Sequence, residues 1–217
     1  MQTTKWHYYV KKDLIRNQFV IPYIIELINR FEIKKVIDIG SGSGYVAAEV
    51  SRLVENKITL FCIDKSGRNI NFSKKTYDNV NGLTFVKGSF ENLIIKDIYD
   101  LSLVVFTFVD FKINNSFIKK ISLHTSNNGY SLIVIPDFLS DILEMNDRDL
   151  LISYLNNSSV ELGNKEICRK FSIPFVANKT EKIIELMYLN NFTLIDFKNI
   201  KYKSDKRFYI LLFRSKK

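Results

Sequence analysis

Cysteine and proline are scarce in this sequence of 217 residues. Only Cys62 and Cys168 are present, so at most one disulfide could form and a thiolate metal site would lack ligands. This cysteine usage indicates the reducing cytoplasm, and we expect no metal site. With three prolines, no internal repeat and no low-complexity block, the sequence predicts one domain over residues 1–217.

Long hydrophobic runs are also missing. Uncharged apolar runs such as residues 101–109 are far shorter than the roughly 20 residues that span a bilayer. Residues 1–13 contain no apolar segment of the kind found in signal peptides. The sequence therefore predicts neither a membrane helix nor a secretion signal.

Acidic residues are outnumbered, since 32 Lys and Arg face 23 Asp and Glu and the formal net charge is +9. A polyanion such as RNA would suit this balance, because each neutralised phosphate releases a counterion. The basic residues are dispersed, however, and Lys, Ile and Asn are frequent along the whole chain, which indicates a compositional bias. Nucleic acid stays open as a partner but is less favoured than a small molecule.

Short apolar runs that predict strands alternate with segments at helical spacing. The predicted strands are residues 36–39, 58–63, 83–86, 101–108 and 130–135, and the helices between them are residues 45–54, 67–77 and 115–123. Strands separated by helices imply right-handed crossovers and a parallel sheet covered on both faces. The fold class is α/β.

The flanking segments complete this plan. Residues 14–31 have helical spacing, with Pro22 breaking the pattern or opening its second half. Residues 137–178 interrupt the rhythm, with a helix near 149–155 and an aromatic segment at 171–175, before another helix at 180–189. The runs 192–202 and 208–213 flank a charged turn at 203–207 and predict an antiparallel hairpin. We expect a seven-stranded Rossmann-like sheet, mostly parallel, with this hairpin at its end.

A glycine-rich loop stands between the first predicted strand and the first helix, at Gly40, Gly42 and Gly44. Glycines at such a junction let the backbone approach a ligand closely, and the free N–H groups of the helix attract negative charge. Asp64 ends the second predicted strand, where it can accept hydrogen bonds from ribose hydroxyls. Together these features predict a ligand that contains a nucleoside.

Two classes of nucleoside ligand compete for this loop. The segment 42–47 fits the G-x-G-x-x-A form of a dinucleotide fingerprint. Asp38, two positions before the first glycine, would then place a negative charge beside a pyrophosphate. A ligand with an ammonium group at that place is favoured by the same carboxylate.

Asp38, the three glycines and Asp64 resemble the first motif and the ribose-binding acid of class I S-adenosylmethionine-dependent methyltransferases. The resemblance is specific over about residues 35–110. It implies S-adenosylmethionine as the cofactor, with contacts at Asp38, Gly40, Ser41, Gly42, Gly44, Asp64, Lys65, Ser89, Phe90 and Phe106. Ser89 departs from the family pattern, because many relatives have there an acid that binds the adenine amino group. A hydroxyl can still accept a hydrogen bond, and Phe90 could pack on the purine or in the core.

Three further residues are candidates for the substrate side. Family members often fold an N-terminal helix over the cofactor, so residues 1–31 are expected to form a helical lid that carries Tyr9. Asp110 and Asp137 follow the fourth and fifth predicted strands, at the edge where doubly wound sheets hold ligands. For Tyr9 the alternative is plain packing, and for Asp110 and Asp137 it is a solvated loop.

The absence of two sequence motifs narrows the chemical class of the methyl acceptor. Residues 106–111 lack the Asn/Asp-Pro-Pro-Tyr/Phe tetrapeptide of enzymes that methylate base amines, and neither cysteine follows a proline as C5-pyrimidine chemistry requires. We expect methyl transfer to O or N of a small molecule, with the insertion at 137–178 near the acceptor. The alternatives are an RNA methyltransferase and a degenerate, non-catalytic binding protein; the sequence indicates no oligomeric state.

Overall fold

The computed structural model describes residues 3–54, 57–162, 175–202 and 206–217. Strands and helices alternate along the chain as the apolar pattern predicts. The strands are β1 (Lys35–Ile39), β2 (Thr59–Asp64), β3 (Leu83–Lys87), β4 (Tyr99–Val105), β5 (Thr125–Pro136), β6 (Ser159–Leu162), β7 (Phe175–Asn178), β8 (Phe192–Tyr202) and β9 (Lys206–Ser215). The helices are α1 (Thr3–Lys11), α2 (Ile21–Arg30), α3 (Tyr45–Leu53), α4 (Gly67–Thr76), α5 (Asn115–His124), α6 (Phe138–Glu144), α7 (Arg148–Asn156) and α8 (Thr180–Leu189).

The main sheet has seven strands in the order β3-β2-β1-β4-β5-β9-β8. Strands β1 to β5 pair in parallel, whereas β9 is antiparallel to both of its neighbours, β5 and β8. Strand β8 therefore runs in the same direction as β1 to β5. The predicted α/β class, with a mostly parallel seven-stranded sheet and an antiparallel C-terminal hairpin, is confirmed.

Helices cover both faces of the sheet. Val36 and Ile37 on β1, like Leu103 and Val104 on β4, are fully buried, and successive side chains of a strand point to opposite faces. Helices α2, α3 and α4 pack on one face, and α5 and α8 on the other. The glycine loop and the carboxyl ends of β1 to β4 are thereby held by an apolar core on each side.

Two predicted boundaries differ from the structure for local reasons. Strand β4 ends at Val105, not at residue 108, because Phe106 adopts a φ of 56° and a 3-10 turn at Thr107–Val109 follows. The predicted helix 14–31 is divided into a π-helical turn, Arg16–Val20, and helix α2. Pro22 lies in the first turn of α2, directly after the π-helical turn.

The insertion at 137–178 contains more regular structure than its sequence predicts. Beside the predicted α7 it holds α6 and the antiparallel pair β6 and β7. A small apolar cluster joins them, formed by Val109, Phe138, Ile142, Tyr154, Leu162 and Ala177. Residues 163–174, with Cys168 and most of the predicted aromatic segment, lie outside the described residues, as do residues 203–205 of the predicted turn.

Within the described ranges, no helix is both long enough and apolar enough to cross a membrane. The same ranges contain no group of three or more His, Cys, Asp or Glu side chains that could hold a metal ion. Cys62 is a free thiol on β2 and is fully buried, which raises its pKa well above the ordinary value. The thiol is therefore protonated and enclosed in the core.

Candidate active site

A cavity of about 1050 Å³ opens at the carboxyl ends of β1 to β4. Pockets for drug-sized ligands measure roughly 300–1,000 Å³, so this one has room for a cofactor and a small second ligand. The candidate cofactor residues that line it are Asp38, Gly40, Ser41, Gly42, Asp64, Lys65, Ser89, Phe90 and Phe106. Tyr9 and Asp110 line it too, whereas Gly44 and Asp137 are not among its lining residues.

The glycine loop presents its backbone to the cavity at Gly42. A Cβ atom on Gly44 would lie 2.7 Å from Cε1 of Phe85, and one on Gly40 would lie 2.5 Å from the Thr107 side chain. These two glycines are therefore needed for packing within the protein. At Gly42, where φ is +58°, the nearest such atom is Nε1 of Trp6 at 3.7 Å. A Cβ at Gly42 would therefore lie at ordinary contact distance from the Trp6 indole, and the Gly42 main chain lines the cavity.

Asp64 is oriented by three donors at the end of β2. Its Oδ2 accepts from the Gly42 N–H at 2.8 Å, and its Oδ1 accepts from the Ser66 N–H at 2.7 Å and from Asn69 Nδ2 at 3.2 Å. Burial raises the pKa of Asp64, and these hydrogen bonds oppose the rise. A carboxylate has about four acceptor positions, so the cavity side can still receive a ribose hydroxyl.

Asp38 lies at the end of β1 and is only 3% exposed. Burial and the charge of Asp64 together raise its pKa to about 7, against the opposing effect of the Arg16 guanidinium. Arg16 forms an ion pair with Asp13, and its guanidinium carbon lies 4.6 Å from the ring centre of Phe106. One end of the cavity thus holds a buried carboxyl beside a cation.

Part of the cavity lining is aromatic. Phe90 and Phe117 have ring centres 5.0 Å apart, and Phe111 lies 5.0 Å from Phe117. All three line the cavity, and Phe90, at 5% exposure, also packs in the core, so both sequence-based interpretations of this residue describe its surroundings. Ser89 is exposed at the mouth beside them.

Asp110 follows the 3-10 turn after β4 and is accessible from the cavity. The surrounding protein raises its pKa by desolvation, Lys65 lowers it and Asp64 raises it. The charge of Asp64 raises the pKa of both Asp38 and Asp110. The opposing cation is different: Arg16 lowers the pKa of Asp38, and Lys65 lowers that of Asp110. Asp110 therefore belongs to the Asp64 and Lys65 side of the cavity.

Helix α1, in the segment predicted to form a lid, lies against the glycine loop. Trp6 stands over Gly42, and Nδ1 of His7 lies 3.2 Å from the Ser43 hydroxyl. Tyr9 stacks on Trp6 with ring centres 5.6 Å apart and lines the cavity. Burial raises the pKa of Tyr9, with a further rise from Asp13, so its phenol is a hydrogen-bond donor at neutral pH.

Asp137 and Gly44 have places in the fold that their sequence context did not show. Asp137 is 4% exposed and caps α6, accepting from the Ser140 N–H at 3.2 Å and from its hydroxyl at 2.6 Å. Gly44 has a φ of +74° and stands at the start of α3. Asp137 holds in place the helix whose residues Phe138 and Asp141 line the cavity.

Sequence reasoning missed several residues of the site. Asp13 and Arg16 come from the turn before α2, and Asn69 comes from α4. The spacing of Asn69, five residues after Asp64, offers the one sequence signal, because the first turn of a helix after a strand returns to the strand end. Other residues that line the cavity include Pro136, Phe138, Asp141, Tyr202, Arg207 and Phe208.

Comparison with known proteins agrees with this geometry. A family model described as a methyltransferase domain matches residues 31–199. No curated protein sequence matches the chain. Among solved structures, N-methyltransferase NodS from Bradyrhizobium japonicum WM9 has a TM-score of 0.65 at 13% identity, over 94% of this chain and 99% of that chain.

Two further solved structures have the same fold. Magnesium protoporphyrin IX methyltransferase from Synechocystis PCC 6803, with bound S-adenosylhomocysteine, has a TM-score of 0.69 at 13% identity, over 95% of this chain and 87% of that chain. The 1,6-didemethyltoxoflavin-N1-methyltransferase of Burkholderia thailandensis, with bound 1,6-didemethyltoxoflavin and S-adenosylhomocysteine, has a TM-score of 0.67 at 13% identity. The match covers 99% of this chain and 87% of that chain. Identities this low show the fold alone. Because the family model spans most of the chain, the chain belongs to the methyltransferase-domain family, and the predicted class I S-adenosylmethionine-dependent methyltransferase is confirmed.

Proposed function

We propose that the protein transfers a methyl group from S-adenosylmethionine to an oxygen or nitrogen atom of a small-molecule acceptor. One observation carries the cofactor assignment. The main chain of Gly42 lines the cavity, and the Asp64 carboxylate is fixed directly beside it by the Gly42 N–H at 2.8 Å. A ligand with a ribose next to a chain that lies on the backbone fits this arrangement.

We assign each part of the cofactor to different residues of the cavity. Asp64 receives the ribose hydroxyls, and the aromatic side chains Phe90, Phe111 and Phe117 surround the base. Asp38 faces the methionine end, where an ammonium group favours the ionised carboxylate. Phe106, turned out of the strand by its φ of 56°, forms the wall between the methionine end and the rest of the cavity.

The bound cofactor supplies a methyl group on a positively charged sulfur, which an acceptor attacks from the side opposite the sulfur. The protein contributes alignment and exclusion of water, and effective molarities for well-oriented groups account for roughly 7 kcal/mol or more. Helix α1 and Trp6 provide the cover over the loop. A general base is required only for an acceptor that is not already a good nucleophile.

We place the acceptor in the part of the cavity beyond Phe106, between Pro136, Phe138, Tyr202 and Phe208. These walls suit an apolar or aromatic body. Tyr9 enters from the lid and is assigned to orient the acceptor by donating a hydrogen bond, since its raised pKa keeps the phenol protonated. Asp137 supports the same wall indirectly by capping α6.

A small acceptor is supported by the mixed charge of the cavity lining. The cavity lies beneath α1 and beside α6, and its charged lining includes acidic as well as basic side chains, namely Asp13, Asp141, Arg16 and Arg207. A groove for RNA needs a continuous basic surface. The free, buried thiol of Cys62 supports the cytoplasm as the proposed location.

Calorimetry and methyl-transfer assays test the proposal separately. We expect S-adenosylhomocysteine to bind the wild-type protein with micromolar affinity, and labelled methyl groups from S-adenosylmethionine to enter the small-molecule fraction of a cell extract. Label in the RNA fraction, with salt-sensitive RNA binding, would replace the small acceptor by RNA. Failure to bind either cofactor form below millimolar concentration would refute enzymatic methyl transfer and leave the degenerate binding protein.

A further inference from the structure

Arg207 lines the cavity from the start of β9, where it is the second residue of the strand. Its main chain is fixed there, because its carbonyl accepts from the Asp137 N–H at 3.0 Å and the next residue, Phe208, pairs with Pro136 on β5. Toward the other neighbouring strand, Arg207 pairs with Lys201 on β8. The strand register therefore places this cation at the carboxyl end of β5, beside Pro136, which lines the cavity too.

The side chain of Arg207 extends on the α6 side of β9. Alternate residues of a strand share a face, so Arg207 lies on the same face as Tyr209. The Tyr209 side chain hydrogen-bonds Asp137, which caps α6, and the charge of Arg207 opposes the rise that burial causes in the pKa of Tyr209. Arg207 is itself exposed. The guanidinium is therefore accessible from the cavity next to the helix that carries Phe138 and Asp141.

Arg207 differs from other charged residues of the lining in its lack of a counter-ion. Asp13 is paired with Arg16, and Asp64 is held by three donors. Within the ranges that the structure describes, Arg207 forms no ion pair and donates no side-chain hydrogen bond. Water satisfies such a guanidinium while the cavity is open. A ligand that displaces this water leaves a costly unpaired charge unless it brings an anion of its own.

The chemistry of the guanidinium and of its neighbours defines the ligand. A guanidinium presents a planar fork of N–H donors that matches a carboxylate or a phosphate. The same lining contains the aromatic side chains of Phe138, Tyr202 and Phe208. We propose that Arg207 binds a carboxylate or phosphate group of the acceptor, which makes the substrate class a small acid with an aromatic or apolar body. This inference rests on the proposed function, because it needs an acceptor in this part of the cavity.

The anionic group anchors the acceptor, and a different oxygen or nitrogen atom is methylated. Oxygen atoms that accept from the guanidinium are poor nucleophiles, because their lone pairs are engaged. In the transfer, the bond from sulfur to the methyl carbon breaks with its electron pair on sulfur, the bond to the acceptor atom forms, and a proton on that atom is lost to solvent. The product therefore keeps the negative charge that Arg207 recognises.

The charge of the labelled product tests this role. A deproteinised cell extract is incubated with the wild-type protein and S-adenosylmethionine labelled in its methyl group, and the products are separated by ion exchange at neutral pH. We expect the label to be retained by an anion-exchange resin, apart from residual S-adenosylmethionine, which is a cation. Phosphatase then distinguishes the two anions, because it releases a phosphate and leaves a carboxylate in place.

Three variants connect that product to Arg207. Arg207→Gln removes the charge and should slow labelling at limiting extract about 10- to 100-fold, as for loss of a charge-assisted hydrogen bond, with unchanged S-adenosylhomocysteine affinity in calorimetry. Arg207→Lys keeps the charge without the fork and should lie between Arg207→Gln and wild type. Arg214→Gln is the matched control, since Arg214 lies on the same strand, hydrogen-bonds Asn128 at 3.2 Å and is not among the lining residues. It should label at the wild-type rate.

The outcomes separate this inference from the proposed function. A neutral or cationic labelled product, or an Arg207→Gln variant with the wild-type rate, would overturn the role of Arg207 and leave the proposed function intact. Loss of S-adenosylhomocysteine affinity in Arg207→Gln would overturn it too, because the residue would then act on the cofactor. A wild-type protein that binds no S-adenosylhomocysteine, or labels no small molecule, would instead refute the proposed function.

Discussion

Replacing Asp38 by asparagine should change how the stability of the ligand-free protein depends on pH. Burial raises the pKa of this carboxyl from 3.8 to about 7, so the folded state holds its proton more tightly than the unfolded state does. The sign follows from linkage: stability is highest below pH 3.8 and falls as the pH rises to 7, where the buried group is forced to ionise. At 1.36 kcal/mol for each pKa unit, the full cost is about 4 kcal/mol, of which about 2.5 kcal/mol arises between pH 5 and pH 8.

Urea unfolding of wild type and Asp38→Asn at pH 5, 6, 7 and 8 measures this cost directly. The stability of the variant relative to wild type should increase by about 2.5 kcal/mol across that range. Asp97→Asn removes one negative charge at a side chain that is 64% exposed and serves as the control. Parallel pH curves for wild type and Asp38→Asn would refute the raised pKa. Saturating S-adenosylhomocysteine should flatten the wild-type curve, because its ammonium stabilises the ionised carboxylate.

The remaining predictions concern the loop, the ribose anchor and a support behind the site. Gly42→Val should abolish S-adenosylhomocysteine binding in calorimetry while the unfolding free energy falls by about 1–2 kcal/mol for the left-handed backbone, since the new Cβ would be at ordinary contact distance, 3.7 Å, from Trp6; normal binding would contradict a ligand that lies on the Gly42 main chain. Asp64→Ala should weaken the same ligand by about 1–3 kcal/mol through loss of a charged acceptor, and unchanged affinity would exclude the ribose contact. Asn178→Ala should reduce the unfolding free energy by about 3 kcal/mol in urea, because its buried side chain bonds the Phe108 and Phe111 carbonyls and the Ile113 N–H; a loss below 1 kcal/mol would show that the loop does not depend on it.

The sheet and one half of the site were predictable from sequence because both depend on local patterns. Apolar runs define β1 to β5, and a parallel arrangement brings their carboxyl ends to one edge. Asp38, Gly42 and Asp64, each at or just beyond such an end, therefore meet in one cavity. The same logic extended β4 three residues too far and missed β6 and β7, and it could not show that Gly44 faces Phe85 and not the cavity.

The other half of the site depends on contacts between segments that are distant in the sequence. Arg16 enters the cavity because a π-helical turn and the bend at Phe106 bring the two side chains together, and neither has a spacing signal. Asn178 fixes the loop after β4 from 65 to 70 residues further along the chain. A polar residue after a strand, such as Asp137, can contact a ligand or can cap the helix that follows. The position of α6 shows that Asp137 is a helix cap.

The order of strands in the sheet has a consequence for biosynthesis. Strand β9 lies between β5 and β8, so β8 has no neighbour to join until residues 206–215 have left the ribosome. Until then the nascent polypeptide exposes the edge of β5, with Leu132 and Val134, as an unpaired template. Chaperones that bind extended apolar segments should therefore engage this polypeptide before β9 has emerged, and release it when β9 is inserted.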